Sequence, residues 1–310
     1  MDNKLLTPQE VADILKIKKS TVYEMIKRGA LPAKKMGKQL RILPDSITRY
    51  LTSETSKKKE KPKFFPVLNE DPETSPAPPF FILSGQDELL DLICNKVSQK
   101  FSDLQILRSY LDSYNGLYAM YQEQINIATF NLWDSKTDTY NLPFVQRLFP
   151  GEEICVYHLC NRLQGFYVAK GNPKSIYGFD DLVRQEITFI NREKGSGSRV
   201  LLDSMLKREN LDPQKINGYL RSVNSALMTA SIVAKGGADC AIGPERIALQ
   251  IDKIDFIPLK EESLDLVVHK EDINDAPVSY ILCLLKDNDF REEIMHLKGY
   301  YISNMGQQLL

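Results

Sequence analysis

The hydrophobic positions fall into three regimes along the 310 residues. In the first fifty they recur at helical spacing, as Val11, Ala12, Ile14 and Leu15, then as Val22, Met25 and Ile26. Thr7-Pro8-Gln9-Glu10 is a capping box with proline at the first helical position. Thr21 and Glu24 repeat the cap pattern ahead of the second set, and Gly29 suits the left-handed position after it. Two short helices joined by the turn Lys16-Ile17-Lys18 predict a helix-turn-helix. Then "PAKKMGKQLRI" reads as a hairpin with Gly37 at its tip, and Asp45 caps a third helix carrying Ile47, Tyr50 and Leu51. The second regime, residues 53–79, mixes a lysine run with prolines and has almost no periodicity. It predicts a flexible or semi-extended tether, a short ordered piece around Phe64-Phe65 remaining open.

From residue 80 the pattern alternates. "FFILSG", "LQILRSYL" and "QINIATFNL" predict strands, with the helix "ELLDLICNKVSQKF" between the first two. "ICVYHLCNRLQGFYVAKGN" contains two strand-like stretches, and "DDLVRQE" is a short helix before the strand "ITFIN". The helices "RVLLDSMLKREN" and "SALMTASIVAKGG" follow, then strands in "ADCAIGP", "DFIPLKE" and "LDLVVHK", and the helices "PVSYILCLLKD" and "DFREEIMHLKGY". Alternating strands this apolar predict parallel sheets with helices on both faces.

Composition narrows the class. An apolar fraction of 43% and a charged fraction of 26% are those of an ordinary globular protein. The N-terminus has no apolar h-region and the chain has no run of eighteen apolar residues, so no signal peptide, no membrane partner and a cytoplasmic location are expected. Five scattered cysteines without CxxC spacing, and three histidines without a ligand neighbour, point away from disulfides, metal sites and cofactors. The net charge of −1 hides an asymmetry: residues 1–63 hold 16 Lys/Arg against 7 Asp/Glu, the rest 24 against 34. A basic head on an acidic body is the footprint of a nucleic-acid-binding module.

From Thr7 to Ile42 the head matches the pattern "sPxEvAexLgVsxxTVyrxixxGxLpaxkiGrxxRI", and residues 6–51 resemble the excisionase-type winged helix-turn-helix, related to the MerR DNA-binding domain. The docking geometry of such motifs lays the second helix in the major groove of double-stranded DNA. Lys18, Lys19, Ser20, Thr21, Tyr23, Lys27 and Arg28 then lie on or near that surface, while Lys34, Lys35, Lys38 and Arg41 of the wing meet phosphates or the adjacent minor groove. A lysine-solvated helical domain or a protein-protein module is the alternative. Winged heads of this size act in pairs, so a homodimer on a pseudo-palindromic site is expected.

The body carries "TYNLPFVQRLFPG" (139–151), "RLQGFYVAKGNP" (162–173), "NREKGSGSRVLLD" (191–203), "INGYL" (216–220), "SIVAKGGADCAIG" (231–243) and "DFIPLKEESLDLVV" (255–268). In these, residues 80–270 resemble the periplasmic-binding-protein-like domain of molybdate- and tungstate-binding proteins, which is also fused to bacterial regulators. The resemblance implies a type II, two-lobed α/β domain over 80–310 behind a mostly α head at 1–52. Lobe one is expected at 80–160 and 245–310, lobe two at 161–244.

In such a fold ligands sit outside the carboxyl ends of strands, at helix N-termini. Four junctions qualify: Ser84-Gly85-Gln86-Asp87, Ser113-Tyr114-Asn115-Gly116, Gly195-Ser196-Gly197-Ser198, and Ser222-Val223-Asn224-Ser225. Serine supplies a hydroxyl and glycine lets backbone approach, so an oxyanion such as molybdate or tungstate needs no metal there. Arg162, Arg192 and Arg199 are candidates for a ligand carboxylate, and Asn131 and Tyr140 for the cleft wall. Plainer roles stand beside these: a flexible turn for Gly-Ser-Gly-Ser, a turn at Asn115-Gly116, a cap for Ser113, a bracing loop at Tyr140-Asn141, core or rim for Trp133. Neither GxxxxGK[ST] nor GxGxxG is present. The chain also departs from the family: "LSGQDE" replaces Gly-Ser-His-Asp-Pro, "ATFNL" replaces "AgxHL" and "SVNSALMTA" replaces "eTHlavA".

No GxSxG or HExxH exists, and the spacing of Asp87, Asp239 and Glu245 supports no acid/base pair, so an enzyme is not expected. The expectation is a ligand-responsive transcription regulator. The alternative is a DNA-binding scaffold whose second domain has lost its ligand and mediates protein contacts.

Overall fold

The computed structural model describes residues 6–27, 31–36, 39–44, 46–47 and 80–310. The chain divides into two compact units, 1–62 and 63–310. Arg28, Gly29, Gly37, Lys38, Asp45, Tyr50, Leu51 and the whole expected tether lie outside the described residues.

In the first unit, α1 (Pro8–Leu15) begins with a two-way cap. Thr7 Oγ1 accepts from the Glu10 amide at 3.2 Å, and the Glu10 carboxylate accepts from the Thr7 amide at 2.7 Å. Lys16 ends it in the left-handed region, at φ 52°. The second helix, α2 (Lys19–Lys27), starts two residues before the expected cap. Thr21 therefore sits inside its first turn, with its amide donating to Lys18 O at 2.9 Å. Strands β1 (Lys34–Met36) and β2 (Gln39–Arg41) pair antiparallel as the wing, Lys34 opposite Arg41. Val11, Ala12, Val22, Met25, Leu31, Ile42 and Ile47 are the core. Burying each of these side chains other than Ala12 contributes about 1.5–3 kcal/mol.

The second unit runs β3 (Phe80–Ser84), α3 (Leu89–Lys100), β4 (Gln105–Ser109), α4 (Ser113–Tyr121), β5 (Ile127–Phe130), β6 (Trp133–Asp134), β7 (Thr139–Tyr140), α5 (Leu142–Leu148) and β8 (Ile154–Ala169). It continues with β9 (Asn191–Arg192), α6 (Gly197–Arg208), β10 (Ser222–Val223), α7 (Ala226–Ala234), β11 (Cys240–Pro244), α8 (Glu245–Ala248), β12 (Ile254–His269), α9 (Ala276–Leu284) and α10 (Asn288–Met295). The expected strand "ITFIN" is reduced to isolated bridges at Thr188 and Phe189 ahead of β9.

The main sheet has the order β11-β8-β12-β5-β3-β4. Parallel pairing, expected throughout, holds in this sheet only for β3 with β4 and β5, and outside it for β9 with β10. The pairs β5/β12, β12/β8 and β8/β11 are antiparallel. The reason lies in β8 and β12, each expected as two strands and each a single 16-residue strand. One carries the chain from the first lobe to the second and the other brings it back, so they must run in opposite directions.

Side chains alternate faces along a strand, and β8 uses this in both lobes. Cys155, Tyr157 and Leu159 face one core of the first lobe, and Ile154 and Val156 face the other. Phe166 and Val168 face one core of the second lobe, and Tyr167 faces its partner. Between them Asn161, Arg162 and Gln164 cross the gap, with Glu262 directly opposite Arg162. Ala248 and Ile254 share a core with Ala230 and Val233, so α8 and the start of β12 belong to the second lobe although 245–310 was expected in the first. The β6–β7 hairpin also crosses. Trp133 is fully buried with Phe166 and Ile176, and its indole donates to Asp138 Oδ1 at 3.0 Å. Among the described residues no helix is long and apolar enough to cross a membrane.

Candidate functional site

Between the lobes lies a cavity of about 410 Å³. The first lobe walls it with the residues after β3 (Gly85 to Glu88), the end of the β4–α4 loop (Tyr110, Leu111, Asp112), Ser113, Thr129 and Asn131. The second lobe contributes Arg192, Ser196, Gly197 and Ser198 at the start of α6, and Asn224 to Leu227 at the start of α7. Arg162 and Gln164 of β8 form the floor, and Arg246, Ile247 and Tyr300 close one end.

Three helices of nine or more residues, α4, α6 and α7, thus present their first residues to the cavity. Their unsatisfied N–H groups and dipoles favour negative charge. Ser196 caps α6 by accepting from the Arg199 amide at 3.2 Å, and Ser225 caps α7 by accepting from Met228 N at 3.1 Å. Asp112 stands at the cap position of α4 without a cap bond of its own.

The floor is a continuous polar chain. Arg162 donates to Glu262 through Nε and to Asp87 through Nη1. Asp87 also accepts from the Tyr300 hydroxyl at 2.8 Å and from the Leu89 amide at 2.8 Å. Glu262 accepts from Asn131 Nδ2 at 2.7 Å and from Gln164 Nε2 at 3.0 Å. Ser113 Oγ donates to Asn131 Oδ1 at 2.5 Å, and Ser198 Oγ donates to Gln164 Oε1 at 3.2 Å. Burial alone would lower the Arg162 pKa, but Glu262 and Asp87 more than offset this and hold it above its ordinary value.

The lobes meet directly beside this chain. Arg192 donates to Asp112 at 2.7 Å, to Gln86 Oε1 at 3.0 Å and to Asn224 O at 3.2 Å. Gln86 Nε2 donates to Asn224 O at 2.8 Å, and the Tyr114 amide donates to Gly195 O at 2.9 Å. Burial pushes the Asp112 carboxyl up to about 7, the neighbouring Glu193 carboxyl adds to this, and Arg192 opposes it. Glycine is required at two places, one within the first lobe and one at the seam. A β-carbon on Gly85, at φ +144°, would fall 2.0 Å from Thr129 Oγ1, and one on Gly197 would fall 2.4 Å from Asn131 Nδ2.

The expected ligand residues therefore divide. Gly85, Ser113, Asn131, Arg162, Arg192, Ser196, Gly197, Ser198, Asn224 and Ser225 line the cavity. Ser84 is buried beneath it with its hydroxyl unpartnered. Gly195 and Asn115 form the seam instead, Asn115 Nδ2 donating to Lys194 O at 3.4 Å. Tyr140 is half-buried against the second-lobe core, and its hydroxyl has no partner. Arg199 turns away from the cavity onto Asp203 at 2.8 Å and stacks over Tyr219. Asp87, Asp239 and Glu245 do not assemble: Asp239 accepts from Thr188, and Glu245 opens α8.

Sequence reasoning passed over Asp112, Gln164 and Glu262, while Gln86, part of the first expected junction, lies at the seam and lines the cavity. Gln164 shares a strand face with Arg162, a signal available at spacing two. Glu262 opposes Arg162 only through the β8/β12 register, which the sequence does not state. His158 also has a setting its neighbours in sequence did not suggest. Its Nδ1 lies 2.8 Å from Asp265 Oδ1 and 3.0 Å from Ser263 Oγ. Serine and aspartate meet the same ring nitrogen, so the trio is not arranged as a nucleophile relay, which needs one on each nitrogen. It anchors the loop at Asn141, whose Nδ2 donates to Asp265 Oδ2 at 2.6 Å.

On the head, Lys18, Lys19, Ser20, Tyr23, Lys27 and Lys34 are exposed, whereas Thr21 and Arg41 are half-buried. Lys35 lies on β1.

Comparison with known proteins bears on both units. Residues 94–286 match the model of the PBP superfamily domain, and residues 5–55 match a helix-turn-helix domain. The uncharacterized protein YvgK of Bacillus subtilis (strain 168) is 38% identical over 308 residues, 98% of this chain and 97% of that protein. An uncharacterized protein encoded in the 5′ region of a 2Fe-2S ferredoxin gene of Clostridium pasteurianum is 43% identical over 108 residues, covering 35% of this chain and 96% of its own. Among solved structures, the effector-binding domain of a BenM variant superposes with a TM-score of 0.49 at 14% identity, covering 70% of this chain and 95% of that one.

Proposed function

The chain belongs to the PBP superfamily, and from that premise we propose that it is a cytoplasmic, one-component transcription regulator. In this reading residues 1–52 bind double-stranded DNA, 53–79 tether them, and 80–310 hold a small solute in the interlobe cleft. The observation that carries it is the pairing, in one chain, of a helix-turn-helix domain with a two-lobed domain whose strand ends and helix starts converge on a cavity. The exposed faces of α2 and the wing supply the groove and phosphate contacts, in the manner of excisionase- and MerR-type heads. Two heads on a pseudo-palindromic site make the active form a homodimer. Solute binding between the lobes biases their closure, and closure differs between DNA-competent and incompetent states.

A molybdate- or tungstate-type oxyanion is the ligand that the sequence resemblance favours, supported by the Gly-Ser-Gly-Ser turn at the start of α6. A second reading, a scaffold without a solute, draws on a specific observation: Ser113, Asn131 and Ser198 are already hydrogen-bonded within the protein, through Glu262 and Gln164. Thermal denaturation of the full chain against oxyanions and small metabolites separates the two. A solute that binds only the folded state raises Tm with its concentration. A Tm indifferent to every solute favours the scaffold.

A further inference from the structure

The cleft's volume and its charge pairing say more about the solute than the resemblance does. The lobes already touch through the Arg192–Asp112 and Gln86–Asn224 bonds, yet about 410 Å³ remains between them. Four oxygens around one centre occupy on the order of 100 Å³, at ~30 Å³ for each water-sized atom group. Pockets of roughly 300–1,000 Å³ are those that enclose organic molecules. A tetrahedral oxyanion would leave most of this cavity unfilled.

Charge points the same way. Each guanidinium in the lining already has a carboxylate: Arg162 has Asp87 and Glu262, Arg192 has Asp112, and Arg246 has Glu88. The carboxylate of Asp91, also in the lining, is held by Arg108. An anion that took the Arg162 guanidinium would leave Asp87 and Glu262 buried and unpaired, which is strongly unfavourable, so it would have only the helix starts of α4, α6 and α7 to hold it. A cation that took a carboxylate would likewise leave a guanidinium unpaired. What the lining offers without such a loss are groups that both donate and accept, such as Ser113, Thr129, Asn131, Ser198, Asn224 and Ser225. The lining also includes Tyr110, Leu227 and Ile247, apolar side chains that no inorganic anion would use.

We infer that the cleft binds an uncharged organic molecule bearing both hydrogen-bonding groups and apolar surface, rather than an oxyanion. This rests on the proposed sensor role.

The test is thermal denaturation of the full chain with two probe sets, in low and in high salt. One set is molybdate, tungstate, sulfate and phosphate; the other is nucleosides, sugars and neutral amides. The result expected is a saturable rise in Tm of several degrees from an uncharged probe and none from the anions. The rise stays unchanged by salt, because no ion pairing is screened. Leu227→Glu, at a position 51% exposed, keeps the unliganded Tm and abolishes the rise. A saturable rise from an anion, lost in Leu227→Glu, overturns this inference and leaves the sensor role standing. No rise from either set overturns the sensor role, and this inference with it.

Discussion

Gly197 stands so close to Asn131 that a β-carbon on it would fall 2.4 Å from the Asn131 Nδ2 atom. Asn131 in turn donates to Glu262 and accepts from Ser113, so it cannot step aside without breaking the floor of the cleft. The contact joins the start of α6 in one lobe to the end of β5 in the other, and it exists only while the lobes are together.

Gly197→Ala is therefore expected to destabilise the domain by about 1–3 kcal/mol, the usual cost of overpacking a tight contact. Urea unfolding with an unchanged m-value measures it. Solution scattering of the variant should give a larger radius, since opening the lobes is the way to relieve the clash.

Asp112 gives a pH dependence. Its carboxyl rises on folding from 3.8 to about 7, so the folded state holds more protons than the unfolded one between those values. Stability from this group is present below the lower value and is lost as pH rises through the upper. Asp112→Asn should flatten the fall in Tm over that window while keeping an acceptor for Arg192. An unchanged slope in the variant would show that another group is responsible.

Arg162 neutralises two buried carboxylates at once. Arg162→Ala leaves Asp87 and Glu262 uncompensated, and a loss of about 3–5 kcal/mol is expected. Adding Glu262→Gln should recover part of that loss in denaturant unfolding, because one buried charge is then removed.

These residues also mark how far the sequence could be read. The cap at Thr7, the helix starting after Gly195, the apolar faces Val11/Ala12 and Val22/Met25, and most element positions follow from local chemistry. The continuity of β8 and β12 does not. Their apolar runs are interrupted by Asn161-Arg162 and by Glu262-Ser263, which divide the expected strands but are the polar residues that cross between lobes. Pro258, normally a strand breaker, is accommodated at a register shift. The pairing of Arg162 with Glu262, and the placing of Trp133 in the far lobe's core, depend on register and topology across about a hundred residues. Spacing along the chain carries neither.

For the head, Lys34→Ala should weaken binding to any duplex DNA alike and reduce the slope of log affinity against log salt by ~1. Tyr23→Ala, on the exposed face of α2 and 46% exposed itself, should alter preference among sequences with the salt slope kept. Fluorescence anisotropy across a salt series reads both.

The central claim, that occupancy of the cleft controls DNA binding, is tested most directly by one titration. The full chain is titrated against duplex DNA carrying its own upstream region, with and without a saturating solute that raises its Tm. A shift in affinity of about 5–150-fold, the range of typical coupling between sites, is predicted, and it should vanish in Leu227→Glu. Superimposable isotherms with and without that solute would contradict the account.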